Sequence, residues 1–588
     1  MRSRKFGVLM LAASVACGGS ACSVISVGGP PELARPADAA DSMTKPFQRM
    51  VATSPHPDWT ATQTVEGLLA AMASFDDVEQ KILREYLTPA AKQAWKPGES
   101  VTVVDDNPSV KEVREGVVQI EATQIAIIHD DGWYEPKREK FILNIPVAKT
   151  PQGYRVSMLS NGLTLLTAAD VRRAYAPADV YFLSGSGSLD NPMAIPVVDH
   201  VWLPVNPRRS LAETIVDRLL EGPSESLEGA VSTAFEGISL DRIDPGDETV
   251  VVRLEGQFKA QPAPVEALMR QLQWSLRDLT KGRTIEVRLN GESFFESGPL
   301  TIAPKQTDAW LRSPESKVYF VQNGQLMRLG ENGAGIAFPG PVGQLGDVYK
   351  EPAITGTPGP REGDPTEYVA ALKSDGRSIW INRLAGDGQW EEAIKGTDLT
   401  APSWNWNGTL WTVDRIDAQT SYVLRYDMSA LDQPVTRIAA PELNGKQVKA
   451  FKVARDGTRV AAIVADGKGV SVMVGVITGD KLDHFQTLLT AGDTEEIKDL
   501  AWRDSEHLLA LGSSNSDRTL SEIDISNGAV RQLPAHEHTT SITALNDRLV
   551  AGTDADKDGG GKVLELVQDK WVDTKAQPGT LYPTFPLD

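Results

Sequence analysis

Five residues near the carboxyl end carry the spacing of a calcium loop: Asp554, Asp556, Asp558, Gly559 and Glu565 satisfy D-x-D-x-D-G-x5-E. Short carboxylates on alternate positions can converge on one hard cation, and the glycine permits the tight turn around it. Gly561 stands where an EF-hand wants an apolar anchor, and the flanks read as strands. The same residues therefore also suit an acidic, glycine-rich hairpin tip. No metal is expected overall, and calcium at this loop is the one cofactor the sequence offers. His536-Glu537-His538 alternates metal-binding side chains, but Pro534 and Thr539-Thr540 flank it as they would a solvated loop. Asp76-Asp77 and Asp130-Asp131 have the composition of a glycosidase acid pair, in positions where helix starts and turns ordinarily carry acids. The sequence contains no G-x-S-x-G elbow, phosphate-binding G-x-x-x-x-G-K-[ST], H-E-x-x-H or dinucleotide fingerprint. Catalysis is not expected.

A covalent modification is expected instead. The chain has two cysteines, Cys17 and Cys22, too close together for a disulfide to staple anything. They follow a positive start (Arg2, Arg4, Lys5) and the apolar run Phe6 to Ala16, the layout of a bacterial signal peptide. That run is too short to span a bilayer core of ~30 Å. Gly19-Ser20-Ala21-Cys22 has the small residues of a lipobox, without the usual Leu three places before the cysteine; Ser14-Val15-Ala16-Cys17 has the same gap. Its distance from the apolar core favours Cys22 as the lipidated residue, with Cys17 as the alternative. The expected groups are S-diacylglycerol and N-palmitate, and more than one acyl chain is what stable anchoring requires. The expectation is a protein lipid-anchored to the extracytoplasmic face of a cell membrane.

Past residue 22 there is no cysteine, so the folded part is held by its cores alone. Seventy-nine acidic against 59 basic residues give a net charge of −20. Such a chain is a poor ligand for nucleic acid or for anionic lipid. After a signal peptide over 1–21, residues 22–57 read as a Pro/Gly/Ala/Ser-rich tether.

Residues 58–175 read as an α+β domain with helices first and a curved sheet second. Thr60 or Thr62 caps a helix carrying Val65, Leu68, Leu69, Met72 and Phe75, and a second helix covers Val78–Trp95. Strands are expected at Val101–Val104, Val117–Ile128, Phe141–Val147 and Tyr154–Met158. This order suits a nuclear-transport-factor-2-like cone. Residues 178–305 read as an α/β sandwich. Its strands are Val180–Leu183, Thr249–Leu254 and Thr284–Leu289. One helix stops at Gly222-Pro223, another runs from Val265 to Leu279, and Asn290-Gly291 makes a hairpin turn.

From Asp308 to the end, helical periodicity gives way to short strands and a recurring Asn/Asp turn. It appears at Asn323, Asp375, Asn407, Asp456, Asp504 and Asn546-Asp547, mostly 43 to 52 residues apart with one step of 32. That period is one β-propeller blade, and six to eight blades are expected.

Leu219-Leu220-Glu221-Gly222-Pro223, Val250-Val251-Val252-Arg253-Leu254 and Leu276-Arg277-Asp278-Leu279 resemble the GerMN module. Tyr86-Leu87-Thr88-Pro89-Ala90-Ala91 with Trp95, then Gly153-Tyr154-Arg155-Val156 and Tyr181-Phe182-Leu183, resemble the first domain and middle passage of the actinobacterial LpqB lipoproteins. Cys22-Ser23-Val24 resembles that family's mature start. With the three modules in order, the chain resembles this family from end to end. The resemblance implies a cell-envelope accessory whose partner is the extracellular domain of a membrane sensor histidine kinase of the Mtr two-component system. The alternative is a protein that binds or hydrolyses cell-wall glycan, with thirteen tryptophans available for stacking, most of them inside the repeats and expected to pack between blades.

Overall fold

The first helix begins where its cap was expected. Gln63 N–H donates to the Thr60 side chain at 3.2 Å, and Thr60 N–H donates to the Gln63 side chain at 2.9 Å, a reciprocal capping box. The structure is a computed structural model. It describes residues 52–588 except 75–79, 186–188, 190–193, 206–208, 259–261, 294–299, 303–316, 357–366, 385–387, 431, 468, 493–494, 516 and 555–559. Cys17, Cys22 and Phe75 lie outside the described residues.

The helix Ala61–Met72 buries Val65, Leu68 and Met72. Where periodicity predicts one helix over Val78–Trp95, the structure has two, Lys81–Glu85 and Pro89–Ala94. Pro89 has no N–H to continue the first helix and pushes Thr88 out of the helical region, to φ −62°, ψ 159°. Thr88 then caps the second piece, while Leu87 is released to bridge Val156. The helices cover a six-stranded sheet in the order Gly153–Val156, Tyr134–Thr150, Val117–Ile128, Val101–Val104 and Leu165–Thr167, with Ser109–Arg114 on Val117–Ile128. Tyr86, Trp95, Val118 and Ile120 fill the space between these layers.

The middle domain starts at Tyr175–Ser184, a strand antiparallel to Pro196–Pro204. A second sheet pairs Thr249–Gly256 with Thr284–Leu289 in parallel. A parallel pair needs a crossover, and the helix Pro262–Ser275 supplies it. The spacing of Val265 to Leu279 reads as one helix. In the structure it kinks at Leu276 (φ −103°, ψ 4°) and resumes over Arg277–Thr280, next to the buried Ser275, whose hydroxyl accepts the Tyr181 N–H at 2.9 Å. Gly222 ends the helix Leu211–Glu221 at φ 103°, and Asn290 and Gly291 both take positive φ, as a type I′ hairpin requires.

The remainder is a six-bladed propeller of four-stranded sheets. The innermost strands are Tyr349–Ile354, Ser403–Trp404, Gln447–Val453, Glu495–Trp502 and Thr539–Leu545 in blades two to six. In blade one that place is taken by the C-terminal strand Thr580–Thr584, paired with Tyr319–Gln322, so the chain's end closes the ring. The recurring turns are not equivalent. Asn323 and Asp375 join the second and third strands of their blades, whereas Asn407, Asp456, Asp504 and Asn546 join the first and second. Adjacent strands run antiparallel, so the two sets lie on opposite faces of the ring. The short step of 32 residues falls where the turn changes hairpin.

Tryptophans tie the blades together. Indole N–H groups donate across blade boundaries from Trp390 to Pro341 O (3.2 Å), Trp404 to Ala353 O (3.2 Å), Trp406 to Asp456 O (3.2 Å) and Trp571 to Pro534 O (2.9 Å). Trp404→Ala should lower propeller stability by about 3–5 kcal/mol, measured by thermal melting, because it empties a fully buried site and removes the hydrogen bond to Ala353 O.

Candidate interaction site at the domain junction

The middle-domain strand Pro196–Pro204 carries Asp199 and His200 where an apolar alternation would continue. His200 is spent on the junction and Asp199 on Ser224 of its own domain. His200 Nδ1 lies 2.9 Å from Asp179 Oδ1, and its Nε2 lies 3.4 Å from the carbonyl of Ser505, in the first turn of blade five. Both partners are acceptors, so the geometry suits a doubly protonated ring. From blade four, Arg459 pairs with Asp456 at 2.8 Å and donates its other Nη to the Val198 carbonyl; both residues are buried. Asp199, its carboxyl pushed up by burial, accepts from Ser224 N–H at 2.7 Å and Ser224 Oγ at 2.8 Å.

The first domain is fastened to the same place. Trp202 N–H donates to Gly132 O at 2.7 Å, and Glu225 N–H donates to Asp131 Oδ2 at 2.7 Å. Asp131 Oδ1 takes the Trp133 N–H at 2.9 Å, and Tyr134 packs on Trp202 with ring centroids 5.1 Å apart. Asp130-Asp131 is thus a turn and a latch, in keeping with the turn reading. Asp76-Asp77 lies outside the described residues.

Beside the latch, a cleft of about 1090 Å³ separates the strand edge Tyr134–Glu139 from Phe485–Thr490 and Asn527–Val530 of the propeller. Glu135, Lys137, Arg138 and Glu139 make its first wall polar; Phe485 and Leu488 make the other partly apolar. Gly528, at φ 67°, lets Pro136 approach, since a Cβ there would come within 2.7 Å of the proline ring. The cleft is suited to gripping a peptide or loop. Among the described residues it contains no nucleophile with a base beside it.

Of the calcium-loop residues, Asp554 pairs with His538 Nδ1 at 3.3 Å and Glu565 with Arg548 Nε at 2.9 Å. Glu565 sits opposite Val550, four residues along the strand from Asp554, roughly 13 Å at the usual strand rise. These two carboxylates do not converge. Asp556, Asp558 and Gly559 lie outside the described residues. His536-Glu537-His538, its histidines half-buried, forms the loop before Thr539, and among the described residues no group of three or more metal-binding side chains comes together. Sequence reasoning missed Asp179, His200 and Arg459 and read Asp456 only as a repeat turn; the one further signal was polar residues in or at the start of apolar strands.

Three family models match in succession: "Lipoprotein LpqB, N-terminal domain" over residues 54–172, "Sporulation and spore germination" (Germane) over 179–294, and "Lipoprotein LpqB beta-propeller domain" over 324–586. The chain belongs to the LpqB lipoprotein family. Lipoprotein LpqB of Thermobifida fusca (strain YX) is 27% identical, with 96% of each chain covered. Lipoprotein LpqB of Mycolicibacterium smegmatis (strain ATCC 700084 / mc(2)155) is 23% identical over 86% of this chain and 88% of the relative. A solved TolB from Acinetobacter baumannii matches 59% of this chain and 99% of its own at 11% identity and a TM-score of 0.35. Among the described residues no helix is long and apolar enough to cross a membrane.

Three histidines should give this LpqB-family junction a pH dependence. His129 and His507 are held protonated above their ordinary range by the hydrogen bonds they make to Glu135 (3.1 Å) and Asp504 (2.8 Å). At His200 burial opposes protonation and the Asp179 bond outweighs it, so its pKa is raised too. Glu506, pushed up by burial, acts in the same direction, while Arg459 opposes His200 protonation. Asp179, Asp504 and Glu135 are held below their ordinary range and stay ionised throughout. A raised histidine pKa contributes stability that is complete below about 6.5 and is lost as pH climbs through the folded value. Hydrogen exchange in Pro196–Pro204, corrected for intrinsic rate, should therefore quicken from pH 6 to pH 8. His200→Gln should flatten that dependence.

Proposed function

We propose that this protein is a non-catalytic accessory of the cell envelope. It is held by lipid on Cys22 at the extracytoplasmic face of the cell membrane. There it modulates a Mtr-type sensor histidine kinase, and through it cell-wall homeostasis, by binding the kinase's extracellular domain. The observation that carries this reading is the junction: hydrogen bonds lock three modules into one array, while among the described residues no nucleophile with a base beside it lines the cleft between them. Tryptophan use supports it as well, because the indoles of Trp390, Trp404, Trp406, Trp502 and Trp571 are engaged across blades rather than offered to a glycan. An array tethered beside a membrane kinase meets it at high effective concentration, so modest affinity suffices.

Crosslinking in intact cells, with mass spectrometry of the partners, tests the reading. The kinase should be captured with the wild-type chain and lost with Cys22→Ala, which should leave the membrane fraction. Recovery of wall polymer without the kinase would favour the glycan reading. Loss of anchoring in Cys17→Ala but not in Cys22→Ala would move the anchor to Cys17.

A further inference from the structure

The propeller axis has two unlike ends. On the face that meets the middle domain it is filled. Arg455, fully buried, donates to Trp502 O at 3.2 Å, Ala544 O at 3.1 Å and Pro586 O at 3.2 Å, joining blades five and six to the chain's own tail. The last residue, Asp588, is buried beside it and accepts from Thr543 Oγ1. An acidic side chain therefore already occupies one end of this channel.

The opposite face is open. There the starts of the inner strands surround a cavity of about 270 Å³. Lys350, Lys449, Lys452 and Lys498 reach it from blades two, four and five, and Arg415 lines it in an ion pair with Asp398 at 2.8 Å. Of the four lysines, Lys498 also meets Glu496 at 3.0 Å. Besides Asp398, two more carboxylates line it, Glu351 and Asp499. Asp499 accepts from Leu500 and Ile542 N–H, each at 2.9 Å, and burial pushes it up to about 6 against the pull of Lys452.

Four ammonium groups in one mouth, on a chain of net charge −20, concentrate a field that draws anions in. A small inorganic anion would satisfy the lysines but be opposed by Glu351 and Asp499. An acidic peptide satisfies both, with its carboxylates on the lysines and its backbone N–H groups toward the two acids. We propose that the open mouth of the propeller binds an acidic peptide segment of a partner protein, through Lys350, Lys449, Lys452 and Lys498. This goes beyond the accessory role, since peptide binding is measurable whichever envelope protein supplies the segment.

The test uses the full chain in detergent and a fluorescein-labelled hexapeptide, Ala-Asp-Glu-Ala-Asp-Glu, followed by fluorescence anisotropy at low salt. Binding should saturate, and Lys449→Glu with Lys452→Glu should weaken it at least tenfold. Lys570→Glu, an exposed reversal on the outer strand of blade six, should leave it unchanged. Lys449 is exposed, so Lys449→Glu alone serves if the double variant melts early; it should weaken binding at least threefold. The inference is overturned if these reversals leave affinity unchanged, if the Asn/Gln counterpart of the peptide binds equally well, or if inorganic phosphate displaces the peptide at equal concentration.

Discussion

Removing residues 580–588 is expected to abolish the propeller's cooperative melting transition. The strand Thr580–Thr584 is the inner strand of blade one, so its loss reopens a closed ring and leaves Tyr319–Gln322 with an unpaired edge. Phe585 is fully buried and Leu587 nearly so, each worth about 1.5–3 kcal/mol of burial. Arg455 loses the Pro586 carbonyl and stays buried. A strand of hydrogen bonds at about 1 kcal/mol each goes with them. The total is comparable with the whole stability of an ordinary domain, about 5–15 kcal/mol. Calorimetry of the truncated chain should show the propeller transition gone. An unmoved transition would mean that closure through the C-terminal strand is not what holds the ring.

The second large effect is expected at Arg459. Arg459→Met leaves Asp456 buried without its cation and removes the donor to Val198 O, a change of the kind that costs about 3–5 kcal/mol. The loss should appear at the junction as well as in blade four, with hydrogen exchange rising in Pro196–Pro204. Adding Asp456→Asn should restore part of the stability, since the stranded charge is then gone. Equal destabilisation in the single and double variants would show that the ion pair contributes only through packing.

Much of the architecture was legible because local chemistry and global fold agree. Thr60, Gly222-Pro223 and Asn290-Gly291 each stop or start an element where their conformational preferences require it. The nuclear-transport-factor-2-like layering and the blade repeat follow from hydrophobic period and turn composition. What failed had identifiable causes. Pro89 split a helix whose apolar spacing runs on through it. The Asn/Asp turns mark hairpins without saying which hairpin of a blade they close. The junction was illegible for another reason: His200 within one apolar strand and Arg459 at the start of another make contacts across domains, and strand pattern alone cannot distinguish such a residue from a strand boundary. The lysine mouth gathers residues from three blades that are far apart in sequence.

The central claim is that this protein acts by contact. Its most direct test is titration of the soluble portion, residues 23–588, against the recombinant extracellular domain of the sensor kinase, with wall-polymer hydrolysis assayed on the same preparation. Saturable binding in the micromolar range without hydrolysis is the predicted result. No binding at high micromolar concentration, together with hydrolysis of a wall polymer, would contradict it.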